Sequence, residues 1–528
     1  MQTGYLALVL NAHLPFVRRP DLPKFLEERW YFEALSETYL PLLRLFRRLD
    51  AEGTPFTLTL SLSPTLAAML GDGILSERYC GYLNSQLALA AEEIARTAED
   101  RVFAPLAKMY EALYREDLAD FEELYGRDIL GAFDYYYKKG RIELITTAAT
   151  HTFLPIYRSS PEAISAQIET ALVAHRGAFG KHPIGFWLPQ LGFFPGVEEA
   201  LKAYNIQYTV ITTRGGLLGA PPPRAGSYEP VRCPNGLMVF IRDVAATDAV
   251  WSESSGYPAD PVYRDFYRDI GYDLPFERIE PWMEAGTARI YTGFKYWAVT
   301  GHTEEKRPYD QVAAMAKTQA HAADFIDGRL KAAKAAQPYM KRPPLMVCPY
   351  DAELFGHWWF EGPLWLEALF RQAALVPEMK FLTLGEYQRL YPEAQTSMPE
   401  YSSWADGGFG EVWLDGENDW IYRHCFKAVE RMAELAERFA DESGLRERIL
   451  NQAAREVLLA MCSDWALLMR TNSSRSFARS RVAESIENFD RIYEMLSSNT
   501  VDTEWLTSLE KRDNIFPSIN YRIFRKKR

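Results

Sequence analysis

The sequence predicts an α/β fold with a parallel sheet of barrel or open type, followed by a helical C-terminal region. Three observations carry this. Short apolar runs recur along the first 395 residues with helical stretches between them, the order expected of a parallel sheet. Polar residues (His13, His151, Gln190 and Asp351) stand where four of these runs end, as they do where the loops of a barrel open on one face. Past residue 395 the texture changes, and 419–495 reads as several long amphipathic helices.

In chain order, "GYLALVLN" (4–11) reads as a buried first strand ending at Asn11-Ala12-His13. "TPFTLTLSLSP" (54–64) is a second strand, and 65–140 is mostly helical in period. "IELITTAATHTFLP" (142–155) reads as a strand ending at His151, and "IGFWLP" as one running into a tight turn at Gln190. "GVEEALKAYNI" is a helix with acidic residues at its start, and "QYTVITT" the strand after it. The Gly/Pro-rich stretch 214–236 is expected to be a long loop, a frequent place for function. "LMVFIRD" and "PLMVCPYDAELFG" are further strands, the second carrying Asp351 and Glu353 at its end. Residues 310–335 and 363–373 are helical, and "SMPEYSSWADGGFGEVW" reads as a polar, aromatic linker. The expected division is 1–395 and 396–528.

Composition narrows the function. A net charge of −12 disfavours a nucleic-acid backbone as partner. No apolar run reaches the roughly 18 residues of a membrane span, and the N-terminus lacks a basic signal-peptide region. The 5 cysteines are scattered without CxxC spacing, which argues against a zinc or disulfide framework and for a reducing cytoplasm. Aromatic residues make up 14% of the chain, an excess that suits a large core and a sugar-binding cleft alike.

Asp351 and Glu353 are two apart on an expected strand and so face the same way. His357, Trp358, Trp359 and Glu361 follow within ten residues. A solvated turn over a core tryptophan pair is the plain alternative. Retaining glycoside chemistry needs two carboxyl groups about 5–5.5 Å apart. Asp351 is a candidate acid/base, and the position expected for the attacking carboxylate holds Gln190.

The motifs "NAHLP", "TTAATHTFLP", "GFWLPQLGFFPG" and "PYDAELFGHWWFEGP" resemble those of glycoside hydrolase family 57, and within it the 1,4-α-glucan branching enzymes. "SSWADGGFGEVWL", "ENDWIYRHCFKAVERM" and "REVLLAMCSDWALLM" resemble that subgroup's helical C-terminal domain. The resemblance implies an incomplete (β/α)7 barrel with inserted helices, then a helical domain walling a glucan cleft. It implies an α-glucan partner, α-1,4 cleavage with retention, transfer to a 6-hydroxyl, and no metal or organic cofactor. Carried over by motif, Asp351 is the acid/base. His13 and His151 line the donor subsite, Trp404 and Trp413 contact glucan, and Trp465 packs near the cleft wall. Glu353, His357 and Trp358 are further candidate contacts, and Tyr228 matches a tyrosine on a mobile loop.

The chief departure is Gln190, where the family's motif has its nucleophilic Glu. Leu191 replaces a usual Cys, Phe193 and Phe194 stand where Tyr or Arg is common, and Met461 replaces a frequent Gln. These neighbours point to drift of the whole site. Glu353, Glu198, Glu199 and Asp243 are the carboxylates to weigh as substitutes. The expectation is a branching-enzyme-type glucanotransferase with strongly impaired turnover. The alternatives are a non-catalytic glucan-binding relative or a structural partner of glycogen enzymes.

Overall fold

The computed structural model describes residues 2–252, 254–283, 289–300, 303, 305–405 and 407–526. Its strands are β1 (Gly4–Ala12), β2 (Leu58–Leu62), β3 (Ile142–Thr147), β4 (Gly185–Trp187), β5 (Tyr208–Ile211), β6 (Val231–Arg232), β7 (Met238–Ile241), β8 (Leu345–Asp351), β9 (Met379–Phe381) and β10 (Gln395–Thr396). Every residue of β1 is buried. A strand covered on both faces carries apolar residues throughout, which is why its sequence shows no alternation.

The parallel ladder runs β8–β1–β2–β3–β4–β5–β7. It curls until β7 and β8 meet, among the described residues, through the bridge Arg242–Val347, with Asp243 N donating to Val347 O at 2.9 Å. This curled, mostly parallel sheet is the incomplete barrel expected. Alternate residues such as Ala7, Val9, Trp187, Val210, Phe240, Leu345 and Val347 fill its interior. The opposite face packs against the surrounding helices in one large cluster, which also takes in the C-terminal helices.

Side-chain caps fix where several helices begin. Ser63 accepts from Leu66 N, and Asp72 from Ile74 N and Leu75 N. Asp243 accepts from Ala246 N and Asp310 from Val312 N. Among the described residues no helix is long and apolar enough to cross a membrane.

Three expectations change. β3 ends at Thr147, so His151 lies in the following loop rather than on the strand. The Gly/Pro-rich stretch is partly ordered into the helix Thr213–Leu217 and β6. The supposed linker is docked on the barrel: β10 pairs with β6, Met398 bridges Ala220 and Ser402 bridges Phe193. Its small and polar residues offer backbone groups to the loops they cross. The helices Trp420–Arg438, Leu445–Ala460, Ser463–Thr471, Arg475–Ser498 and Thr503–Arg512 follow.

Candidate active site

The strand-end residues converge at one mouth of the barrel. Asn11, near the end of β1, is paired in register with Asp351, at the end of β8. Its amide Nδ2 lies 3.4 Å from Asp351 Oδ1 and 3.5 Å from His151 Nε2. The His13 and His151 rings stack at 3.8 Å and 11°. His13 Nε2 is 2.9 Å from Asp464 Oδ2, a carboxylate brought in by the C-terminal helix Ser463–Thr471. Ser463 donates to the His151 carbonyl and stands 3.4 Å from His151 Nδ1. Because that hydroxyl proton is used, Nδ1 is the donor and Nε2 accepts from Asn11.

The local electrostatics assign roles. Burial pushes the Asp351 carboxyl up to about 6, against the Asn11 hydrogen bond. Burial, and then the neighbouring His13, lower the proton affinity of His151 and keep it neutral. Burial also opposes the charge on Asp464, but His13 outweighs it and holds that carboxyl well below the usual range. His13, His151 and Asp464 offer ligand atoms within 4.8 Å of one another. A metal shared by two imidazoles must lie near both ring planes, however, and stacked parallel planes do not meet. Asp464 therefore serves here as the hydrogen-bond partner of His13.

Gln190 follows β4 in a left-handed conformation, φ 59°, with Leu191 at 48° and His151 at 52°. Side-chain-bearing residues seldom adopt such angles, and they gather at functional sites. Gln190 Oε1 accepts from Trp404 Nε1 at 3.1 Å, and Gln190 O from Trp404 N at 3.1 Å. Trp404 is partly buried and packs edge-on against Trp187 (5.6 Å) and Trp251 (5.9 Å).

Glu353, Glu198 and Asp243 each have partners of their own. Glu353 lies not on β8 but in the turn Ala352–Leu354 that follows it, so the two-residue spacing does not aim it alongside Asp351. It accepts from His13 N at 3.0 Å and from the Tyr39 hydroxyl, and burial pushes it up to about 8. Glu198 accepts from Gly196 N at 2.6 Å at the start of its own helix. Asp243 caps the helix Val244–Trp251 and accepts from Arg329 Nη1 at 3.0 Å. Glu199 is exposed in the same helix as Glu198.

The remaining candidates divide. His357 Nδ1 meets Glu37 Oε2 at 2.6 Å. Gly356 lets that loop approach, since a Cβ there would stand 1.6 Å from the Glu37 carbonyl oxygen. Trp358 is 52% exposed and lies 4.4 Å from the Phe266 ring, so it keeps a free face, whereas Trp359 is buried. Glu361 is buried and accepts from Arg264 N at 3.0 Å. Trp413 is buried against Phe153 at 4.9 Å, and Trp465 is buried with its Nε1 donating to Leu459 O at 2.8 Å. Neither ring has a free face for a sugar, which corrects the contact expected of Trp413. Tyr228 O accepts from Leu345 N, the first residue of β8, while Asp351 is the last, so Tyr228 does not join the cluster. Asn11, Tyr39 and Asp464 are the site residues that sequence reasoning passed over. Asp464 sat within the quoted "CSDW", and its acidic side chain beside a motif tryptophan was the available signal.

The family model for glycosyl hydrolase family 57 matches residues 7–399, and the model for the C-terminal part of 1,4-alpha-glucan branching enzymes matches 424–524. A 1,4-alpha-glucan branching enzyme of Thermococcus kodakarensis is 30% identical, the match covering 97% of this chain and 77% of that protein. The solved α-amylase AmyC of Thermotoga maritima is 37% identical over 100% of both chains, with a TM-score of 0.94. The solved branching enzyme of Pyrococcus horikoshii is 29% identical over 100% of this chain and 98% of that one, with a TM-score of 0.90.

Proposed function

The chain belongs to glycosyl hydrolase family 57, and on that premise we propose that it is a branching-enzyme-type glucanotransferase by descent whose turnover is strongly impaired. An α-glucan lies in the cleft between the strand ends and the helices after residue 396, which form a wall of that cleft as a second domain. Asp351 is the acid/base, and its raised proton affinity suits donation to a glycosidic oxygen. Retention requires a carboxylate on the opposite face of the sugar. The observation that carries the reading is the bond from Trp404 to the Gln190 side-chain oxygen at 3.1 Å. An indole N–H only donates, so it fixes the amide with its oxygen occupied and its NH2 free. A neutral, engaged amide oxygen is a poor nucleophile, and the covalent step fails.

The same bond favours a second reading, a glucan-binding protein without turnover. The free NH2 holds a sugar hydroxyl, and Trp404 and Trp358 offer ring faces. We place the protein in a reducing compartment, the cytoplasm, since Cys80, Cys233, Cys348, Cys425 and Cys462 are all unpaired and buried.

The test is a branching assay on amylose, with iodine staining and a count of α-1,6 linkages, on the native protein beside Gln190→Glu. The expected result is a near-silent native protein and a variant faster by roughly two powers of ten or more. Ordinary branching by the native protein overturns the reading. Retention on amylose without new linkages selects the binding protein.

A further inference from the structure

A cavity of about 300 Å3 lies between the helices Pro64–Leu70 and Pro161–Phe179 and the segment 516–523, and none of the candidate site residues lines it. Its walls are apolar. Ala67 and Ala68 line it from the first helix, Val173, Ala174 and Ala178 from the second, and Ile519 from the segment. Alanines are too small to close the gap, and helices packed at ordinary interior density leave no space of this size. The third wall is held in place. Phe516 is left-handed at φ 55°, and Arg455 fixes it there, with Nε donating to Ile515 O at 2.7 Å and Nη2 to Phe516 O at 3.2 Å. Strained backbone over-determined by its surroundings gathers at ligand sites.

One end of the cavity is charged. Glu169, Asn520 and Ile523 line both it and an adjoining pocket, where three cations, Arg522, Arg525 and Lys526, stand against two carboxylates, Glu169 and Glu437. Arg525 lies 3.7 Å from Glu437, and Glu169 accepts from the Tyr204 hydroxyl at 2.9 Å. Lys526 makes no ion pair among the described residues, so this mouth keeps positive charge. The two helices also carry the supports of the stacked histidines. Thr65 Oγ1 donates to Leu14 O at 2.6 Å and stands 3.5 Å from His13 Nδ1. Gln167 holds the loop of His151 at three points. Its Oε1 accepts from Thr150 N at 2.9 Å, its Nε2 donates to Thr150 Oγ1 at 2.8 Å, and its carbonyl accepts from Ala149 N at 3.0 Å.

We propose that this cavity binds a medium-chain carboxylate, its alkyl chain between the two helices and its head at Arg525 and Lys526, and that its occupancy strengthens glucan binding by steadying the supports of His13 and His151. An apolar slot that ends among cations matches an amphiphilic anion. A sugar would leave its hydroxyls unpaired against alanine and isoleucine. A ligand that fills the gap binds this arrangement of the helices better than one in which they have shifted, so it favours the arrangement in which both histidines are held. The binding stands without the glucan reading, and only the link to the cleft rests on it.

The experiment titrates the native protein with hexanoate, octanoate, decanoate and octanol by calorimetry, and measures retention on amylose with and without octanoate. Affinity should rise about three- to four-fold for each added CH2 until the cavity is full. Octanoate should bind about three-fold more tightly than octanol. Ala174→Phe fills the cavity and should weaken octanoate by about ten-fold or more. Lys526→Glu, an exposed change that the fold tolerates, should weaken octanoate about three-fold and leave octanol unchanged. Octanoate should strengthen retention on amylose by about two-fold or more. No octanoate binding, or binding that ignores chain length and both substitutions, overturns the inference. Octanol bound as tightly as octanoate overturns the carboxylate. Octanoate bound with retention unchanged overturns the link to the cleft. Octanoate bound by a protein that does not retain on amylose overturns the glucan reading and leaves the cavity's ligand standing.

Discussion

Trp404 fixes Gln190 because its indole nitrogen has a proton to give and no lone pair to offer. Trp404→Phe keeps the ring and removes that donor, so the amide is free to turn. Retention on amylose should weaken roughly five- to ten-fold, measured by affinity electrophoresis, with little change in Tm. In Gln190→Glu, the transfer rate should fall as pH rises through about 6, where Asp351 loses the proton it must donate. Glu353 acts on stability instead. Its carboxyl is raised from the ordinary 4.5 to about 8, so the folded chain keeps a proton that the unfolded chain releases. The stabilisation is complete at pH below 4.5 and is lost as pH climbs toward 8. Glu353→Gln keeps an acceptor for His13 N and the Tyr39 hydroxyl. The native Tm should therefore fall more steeply than the variant's between about pH 5 and 8. Glu456 and Asp117, raised to about 8 and about 7, titrate alike in both proteins, and the difference isolates Glu353.

Two short elements make the site from what the strands deliver. The π-helical turn Leu35–Tyr39 brings Tyr39 to Glu353 and Glu37 to His357, so a single irregular turn grips the loop after β8 at two points. The helix Ser463–Thr471 reaches in from the other side, with Ser463 on His151 and Asp464 on His13. The His13 and Asp464 side chains are only 8% and 16% exposed, so water does not readily replace a hydrogen bond lost there. Asp464→Ala leaves His13 without its partner and should cost about 1–3 kcal/mol in denaturant unfolding, with Asp464→Asn, which keeps an acceptor, costing less. Equal losses in the two variants would mean that packing, not this hydrogen bond, holds the helix to the barrel.

At the scale of the molecule, one hydrophobic cluster runs from the outer face of the barrel through Met432, Leu450, Val457 and Phe489 of the C-terminal helices. A chain ended at residue 419 would expose the barrel side of that contact, so it should aggregate or melt without a cooperative transition, as light scattering and calorimetry would show. The main strands, the inserted helices and the helical C-terminus were legible in the sequence because apolar period is a local signal. Asp351 and Gln190 were legible because each sits in a dense run of motif residues. Glu353 was misread because a turn begins one residue after Asp351, and strand spacing stops holding there. Trp413 was misread because a tryptophan's sequence does not reveal which face its neighbours cover. Thus the sequence by itself determined the family, the parallel sheet and the identity of the group at position 190. Only the tertiary structure decided which partners those groups have. His13 and Asp464 are 451 residues apart, and Gln190 and Trp404 are 214 apart. Such pairings depend on how the sheet curls and where the C-terminal helices dock, and no local pattern along the chain records either.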